Sequence, residues 1–132
     1  MLQDSGLSPM IIMLLIVAIF IVLGCLMDSL SMIILAIPFF WPIVSVLDYG
    51  LDIDDLKIWF GIIALIVVEL GLITPPVGLN VFIIHSLAPE VPMRETFKGV
   101  MPFFATEMLR VTILVLFPAL SLALPHWLAR VI

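Results

Sequence analysis

Charge is what this sequence has least of. Only 11% of its 132 residues are Asp, Glu, Lys or Arg, and five of those are basic, where an ordinary soluble domain carries about 25% charged residues. There is one cysteine, Cys25, and it stands inside an apolar run. A disulfide within the chain is therefore excluded, as is any cysteine-based metal spacing. Gly/Ser-rich linkers, low-complexity tracts and short repeats are missing, so the chain reads as one membrane domain. No phosphate-binding loop, no His-Glu-x-x-His zinc motif and no Gly-x-Ser-x-Gly elbow occurs. ATP hydrolysis and the common hydrolase mechanisms thus lack their parts, and the protein is read as a non-enzyme with no cofactor. The opening Met1-Leu2-Gln3-Asp4-Ser5-Gly6 has no basic region, which argues against a signal peptide.

What fills the sequence instead is hydrocarbon. Apolar residues make up 64% of it and the mean hydropathy is +1.39. A chain this short keeps a large surface for its volume and could not hide so much apolar side chain from water. The few charges bunch into short stretches, as loops between membrane spans do. The net charge of −5 accordingly carries no implication for nucleic acid, and none is expected as a partner.

The first apolar stretch runs from about Pro9 to Met27 and the second from about Leu30 to Leu47, each near the ~20 residues that cross ~30 Å of hydrocarbon. Only Asp28 and Ser29 separate them. A re-entrant hairpin with its tip buried in protein fits so short a link, with two complete spans as the rival reading. Pro38 and Pro42 are expected to kink or shorten the second arm. An aqueous loop follows over Asp48–Asp55. From Leu56 to Ser86 the chain is apolar for 31 residues, about 46 Å as one straight helix and too long for one span. In its middle stands Gly71-Leu72-Ile73-Thr74-Pro75-Pro76-Val77-Gly78, where two prolines delete two backbone donors. A break at about mid-depth is expected there. A second polar loop over 89–98 leads to a last span ending near Pro125. Trp127 and Arg130 after it suit an interfacial belt. Glu107 and Arg110, three apart, are placed to pair; an interfacial helix through Arg110 and a shorter span is the alternative. Arg94 and Lys98 put the 89–98 loop in the cytoplasm. The 48–57 loop and the C-terminus then face outward, and the hairpin places Asp4 and Asp52 on one, periplasmic, side.

Irregular backbone at membrane depth persists only where it is buried in protein or lines a cavity. In secondary transporters such breaks hold substrates and coupling ions: free N–H groups face anions, and free carbonyls face Na⁺. Two candidate features result. The hairpin tip offers Gly24, Asp28, Ser29 and Ser31; the break offers Thr74, Pro75, Gly78 and Asn80. Thr74 and Asp28 are the candidate Na⁺ ligands, since hard cations prefer oxygen. Each has a plainer reading. Asp28 is also an ordinary helix N-cap, and Thr74-Pro-Pro is also a kink. Glu69 is either a functional intramembrane acid or a neutral structural one. Cys25 reads as a buried small hydrophobe, and His85 and His126 as structural residues near opposite interfaces.

Several stretches together resemble the large membrane subunit of tripartite ATP-independent periplasmic (TRAP) transporters, the C4-dicarboxylate (DctM-type) permease family. They are Leu23-Gly24-Cys25-Leu26-Met27-Asp28, Pro38 and Pro42, Trp59-Phe60-Gly61, and above all Glu69 through Asn80 with its Thr-Pro-Pro-Val-Gly-Leu-Asn run. Pro102-Phe103, Phe117-Pro118-Ala119-Leu120 and Leu124-Pro125 add to the resemblance. It implies a Na⁺-coupled symporter of the bacterial inner membrane, multi-pass, importing C4-dicarboxylates or related organic acids. The implied partners are a periplasmic binding protein that delivers the substrate and a small membrane subunit. Members are built from two inverted repeats, and the resemblance covers the C-terminal third or so. The expected architecture is all-α: a re-entrant hairpin, one broken transmembrane helix and one C-terminal transmembrane helix, half of an inverted-repeat elevator. The first repeat is absent and is itself an implied partner, so the 132 residues alone are not expected to transport. The reading from a different class is a non-transporting membrane protein that assembles with or regulates a partner.

Overall fold

In the computed structural model residues 6–75 and 77–132 are described. Asp4 and Pro76, both invoked above, lie outside the described residues. Among those described the chain forms helices only: α1 (Pro9–Leu26), α2 (Ser29–Ser45), α3 (Ile53–Gly71), α4 (Leu79–Leu87), α5 (Met93–Leu116) and α6 (Pro118–Val131). The helix starts are marked by capping chemistry. The Ser8 hydroxyl accepts from the Ile11 N–H at 3.4 Å, with Pro9 in the first helical position. Asp52 accepts from the Asp55 N–H at 2.9 Å, and Asp54 and Asp55 place negative charge in the first turn of α3, where the helix dipole favours it.

Helix α3 is the centre of the molecule. It packs against α1, α2, α5 and α6, most extensively against α1. Trp59, Phe60, Ile63, Ala64, Val67 and Val68 on α3 are buried against Ile12, Met13, Ile16 and Phe20 of α1 and Met32, Ala36 and Val44 of α2. Phe20 meets Phe40 edge-on at 5.1 Å between ring centroids, and Trp41 lies 6.0 Å from Phe60. Ser8, Pro9 and Met10 share a cavity with Trp59, and Gly24 touches Gly71, so α1 and α3 run parallel and in register. Asp48 and Tyr49 line that same cavity. The α1–α2 pair therefore returns to the end it left, joined only by Met27 and Asp28. The Tyr49 ring packs against Trp59 at 5.3 Å between centroids, tilted by 59°, and burial pushes its phenol pKa up to about 12.

Most of the large side chains outside this core face outward. Leu30, Ile34, Leu35 and Phe39 on α2, and Phe103, Leu109 and Leu116 on α5, are more than half exposed, an apolar exterior suited to lipid or to further helices. Helices α1 and α5 are each long and apolar enough to cross a membrane.

Three boundaries differ from expectation. Helix α3 begins at Ile53 and not at Leu56, because Asp52 caps it. Residues Met93–Lys98 are helix and not loop. Arg94, Glu95 and Lys98 are competent helix formers, Glu95 sits favourably in the first turn, and Lys98 pairs with Glu95 at 3.0 Å. Only residues 88–92 connect α4 to α5. The last apolar segment is two helices, because Pro118 pushes Phe117 out of the helical region, to φ −125° and ψ 77°. Helix α2, by contrast, continues through Pro38 and Pro42.

Proline 118 also explains a long-range bond. In a continuous helix the Leu114 carbonyl would accept from residue 118, which has no N–H. The Trp59 indole N–H fills that place at 2.8 Å, tying α3 to the end of α5.

Candidate functional site at the hairpin tip and the helix break

The chain from α3 to α4 is interrupted between Gly71 and Leu79, and the reason lies in hydrogen bonds that prolines cannot make. The carbonyls of Gly71 and Leu72 would be paired with residues 75 and 76, both prolines. Both are re-satisfied locally. Gly71 accepts from the Thr74 N–H at 3.1 Å, and Leu72 accepts from the Asn80 N–H at 3.1 Å, closing the loop across the break. Gly78 makes the return possible. Its φ is +56°, and a Cβ there would stand 3.2 Å from the Thr74 carbonyl oxygen and 3.3 Å from that of Leu72, a position for glycine alone.

The carbonyls expected to be bare after the two prolines are thus already engaged, and what the break offers is narrower. The Thr74 hydroxyl donates to the Leu70 carbonyl at 2.7 Å. This is the back-bond that a threonine makes to the carbonyl four residues earlier, and it engages the hydroxyl hydrogen. The Thr74 carbonyl accepts from the Cys25 thiol at 2.9 Å, and the Pro75 carbonyl lies 3.9 Å from the same sulfur. Cys25 is buried as expected, but it is a tether and not an inert filler. The sequence held no signal for this bond, which joins positions 49 apart. Ile21, Val22, Cys25, Leu26, Thr74, Pro75 and Val77 line an open pocket of about 260 Å³ here. Asn80 is half-buried, and its backbone N–H is the one closing the loop.

Tip and break meet through bare backbone. Gly24 on α1 and Gly71 on α3 are so close that a Cβ on Gly71 would lie 2.7 Å from the Gly24 Cα and 2.9 Å from the Ile21 carbonyl oxygen. Small residues permit such approaches between membrane helices. Beyond Gly24, α1 ends at Leu26, Met27 turns extended, and Asp28 caps α2. One Asp28 oxygen accepts from the Ser31 N–H at 3.0 Å and the other from the Ser31 hydroxyl at 2.6 Å. The capping reading of Asp28 is therefore realised. Asp28 and Ser31 are exposed, Ser29 is half-buried, and among the described residues none of the three is bonded to the break. Gly24, Thr74, Pro75 and Gly78 are brought together; the polar tip stands beside them. No cluster of His, Cys, Asp and Glu that would hold a metal occurs among the described residues.

The model of the family described as "Tripartite ATP-independent periplasmic transporter, DctM component" matches residues 1–120. The chain belongs to the DctM family. It is 36% identical over 125 residues to the C4-dicarboxylate TRAP transporter large permease protein of Pseudomonas aeruginosa, covering 95% of this chain and 28% of that relative. It is 28% identical over 119 residues to the sialic acid TRAP transporter large permease protein of Vibrio cholerae, covering 90% of this chain and 26% of the relative. The chain thus spans about a quarter of the length of these curated relatives. No solved structure matches it. DctM proteins are transporter components, and the all-helical fold with its two span-length apolar helices is that of a membrane protein.

Proposed function

We propose that this DctM-family segment supplies one half of the ion and substrate site of a Na⁺-coupled importer of organic acids in a bacterial inner membrane. The observation that carries the reading is the meeting of a helix break with a hairpin tip at Gly24–Gly71, where Thr74 presents hydroxyl lone pairs beside the Thr74 and Pro75 carbonyls. The two carbonyls lie 2.9 and 3.9 Å from the same Cys25 sulfur, and oxygen donors are what a hard cation takes. The N-terminal end of α4, which has no side-chain cap, adds partial positive charge for a carboxylate substrate. Asp28, Ser29, Ser31 and Asn80 complete the polar edge of the same region. The relatives' names make C4-dicarboxylates and sialic acid the substrate classes for trial. A periplasmic binding protein, a small membrane subunit and the other repeat are the partners in this reading.

The test replaces the matching segment of the Pseudomonas relative with this chain and follows uptake of labelled C4-dicarboxylate against Na⁺ concentration, with the cognate binding protein and small subunit present. Thr74→Ala is expected to raise the Na⁺ concentration for half-maximal uptake at least tenfold, and Thr74→Ser to restore it. An unchanged Na⁺ dependence in a well-expressed Thr74→Ala chimera reduces the break to a structural kink. A chimera that accumulates normally yet takes up nothing favours the non-transporting reading.

A further inference from the structure

Away from the tip, three charged side chains stand together deep along the apolar helices. Glu69 on α3 and Glu107 and Arg110 on α5 line a single groove of about 450 Å³, walled by Leu70, Ile73, Ile84, Val100 and Phe103. Their level follows from the Trp59–Leu114 bond, which aligns α3 with α5. Trp59 lies four residues beyond Asp55, which pairs with His126 at the polar end. At 1.5 Å per residue Arg110 is about 12 Å, Glu107 about 17 Å and Glu69 about 21 Å in from Asp55. All three therefore sit well inside a hydrocarbon layer ~30 Å thick.

Arg110 and Glu107 form an ion pair at 2.6 Å. The Glu69 side chain has no hydrogen bond or ion pair among the described residues, and it is exposed on the open side of the groove. Two carboxylates and one guanidinium leave the ionised cluster one positive charge short. At membrane depth an unpaired charge is costly. The remaining walls are aliphatic and aromatic, the surface against which a membrane helix packs.

We propose that the groove between α3, α4 and α5 receives a further apolar membrane helix carrying one basic side chain, which pairs with Glu69 and completes a four-charge cluster with Glu107 and Arg110. Charge complementarity selects this occupant over lipid: an acyl chain would fill the apolar walls but leave Glu69 unpaired. The curated relatives, several times longer than this chain, have ample sequence outside the matched segment for such a helix. The proposal is independent of any ion bound at Thr74.

Two measurements on the assembled chimera test it. Membranes are treated with dicyclohexylcarbodiimide, which modifies protonated carboxyl groups facing lipid, and Glu69 is read by peptide mass spectrometry. An ion-paired Glu69 stays unmodified; modification overturns the proposal. Glu69→Lys, which sets like charges against each other, is expected to lower the yield of folded permease at least tenfold, and Glu69→Gln less. Second-site changes that rescue Glu69→Lys are expected to remove a basic residue from a membrane helix outside these 132 residues. Normal yield of Glu69→Lys, or rescue solely by changes at Glu107 or Arg110, shows that the groove has no basic partner.

Discussion

Replacing Gly71 with alanine tests whether the Gly24–Gly71 contact holds tip and break together. The added Cβ would meet the Gly24 Cα at 2.7 Å, the Gly24 carbonyl carbon at 2.8 Å and the Ile21 carbonyl oxygen at 2.9 Å. Carbon atoms at rest stand ~3.5–4.0 Å apart, so α1 and α3 must separate by about 1 Å at this point. All three obstructing atoms are backbone, and no rotamer change relieves them. Overpacking of this kind costs about 1–3 kcal/mol. The gain in helix propensity, up to about 1 kcal/mol in a helix interior, is smaller at Gly71, the last residue of α3. The net effect is destabilising. Gly61, on the same helix, has open space where a Cβ would stand, with nothing within 4 Å, and Gly61→Ala should be neutral or slightly stabilising. The assay is the apparent Tm in detergent of chimeras bearing a fluorescent fusion, read by size-exclusion chromatography after heating. Gly71→Ala is expected several degrees below the parent and Gly61→Ala at or above it. Equal values for the two would refute the argument, because they would show that the interface yields without cost.

Trp59→Phe should cost about 1–3 kcal/mol by stranding the Leu114 carbonyl; Pro118→Ala in the same background returns an N–H to that carbonyl and should recover part of the loss in the same heating assay. Depth of the tip is open to thiol labelling, since a hairpin and two full spans both return the chain to the side it left. With Cys25→Ala as background, Ser29→Cys should resist a membrane-impermeant maleimide applied to the cytoplasmic face, where Glu90→Cys reacts. Equal labelling would mean that α1 and α2 cross completely.

Much of this molecule was legible because prolines and glycines speak locally. The break at Thr74-Pro75-Pro76 and the two-residue link at Asp28 follow from backbone donors and from length alone. The same rule applied to Phe117-Pro118 would have divided the last segment. That division is masked because the residues on both sides are continuously apolar and a single proline is often carried within a helix, as Pro38 and Pro42 are in α2. The helical start of α5 was hidden by its polarity: charges that mark a loop by composition also build a good first turn. Site residues were legible as types and less so in their engagements. The carbonyls freed by the prolines were expected bare, yet the loop folds back to bond Gly71 and Leu72 within itself. Cys25 and Thr74 are 49 positions apart, and no local pattern encodes their bond. The Glu107–Arg110 pair, three apart on one helix, was readable; that Glu69 shares their groove depends on how α3 and α5 are aligned.

The contact at Gly24 and Gly71, with the Cys25–Thr74 bond beside it, has a mechanical consequence. Side chains between two helices act as compliant spacers, whereas here the main chains themselves touch, the last turn of α1 against the last residue of α3. In the function proposed above, a cation drawn to the loop at Thr74 would bear directly on the end of α1, and an acid at the tip would bear back on the loop by the same route. In that reading two ligands on separate stretches of chain would sense each other through the Gly24–Gly71 contact and the Cys25–Thr74 bond.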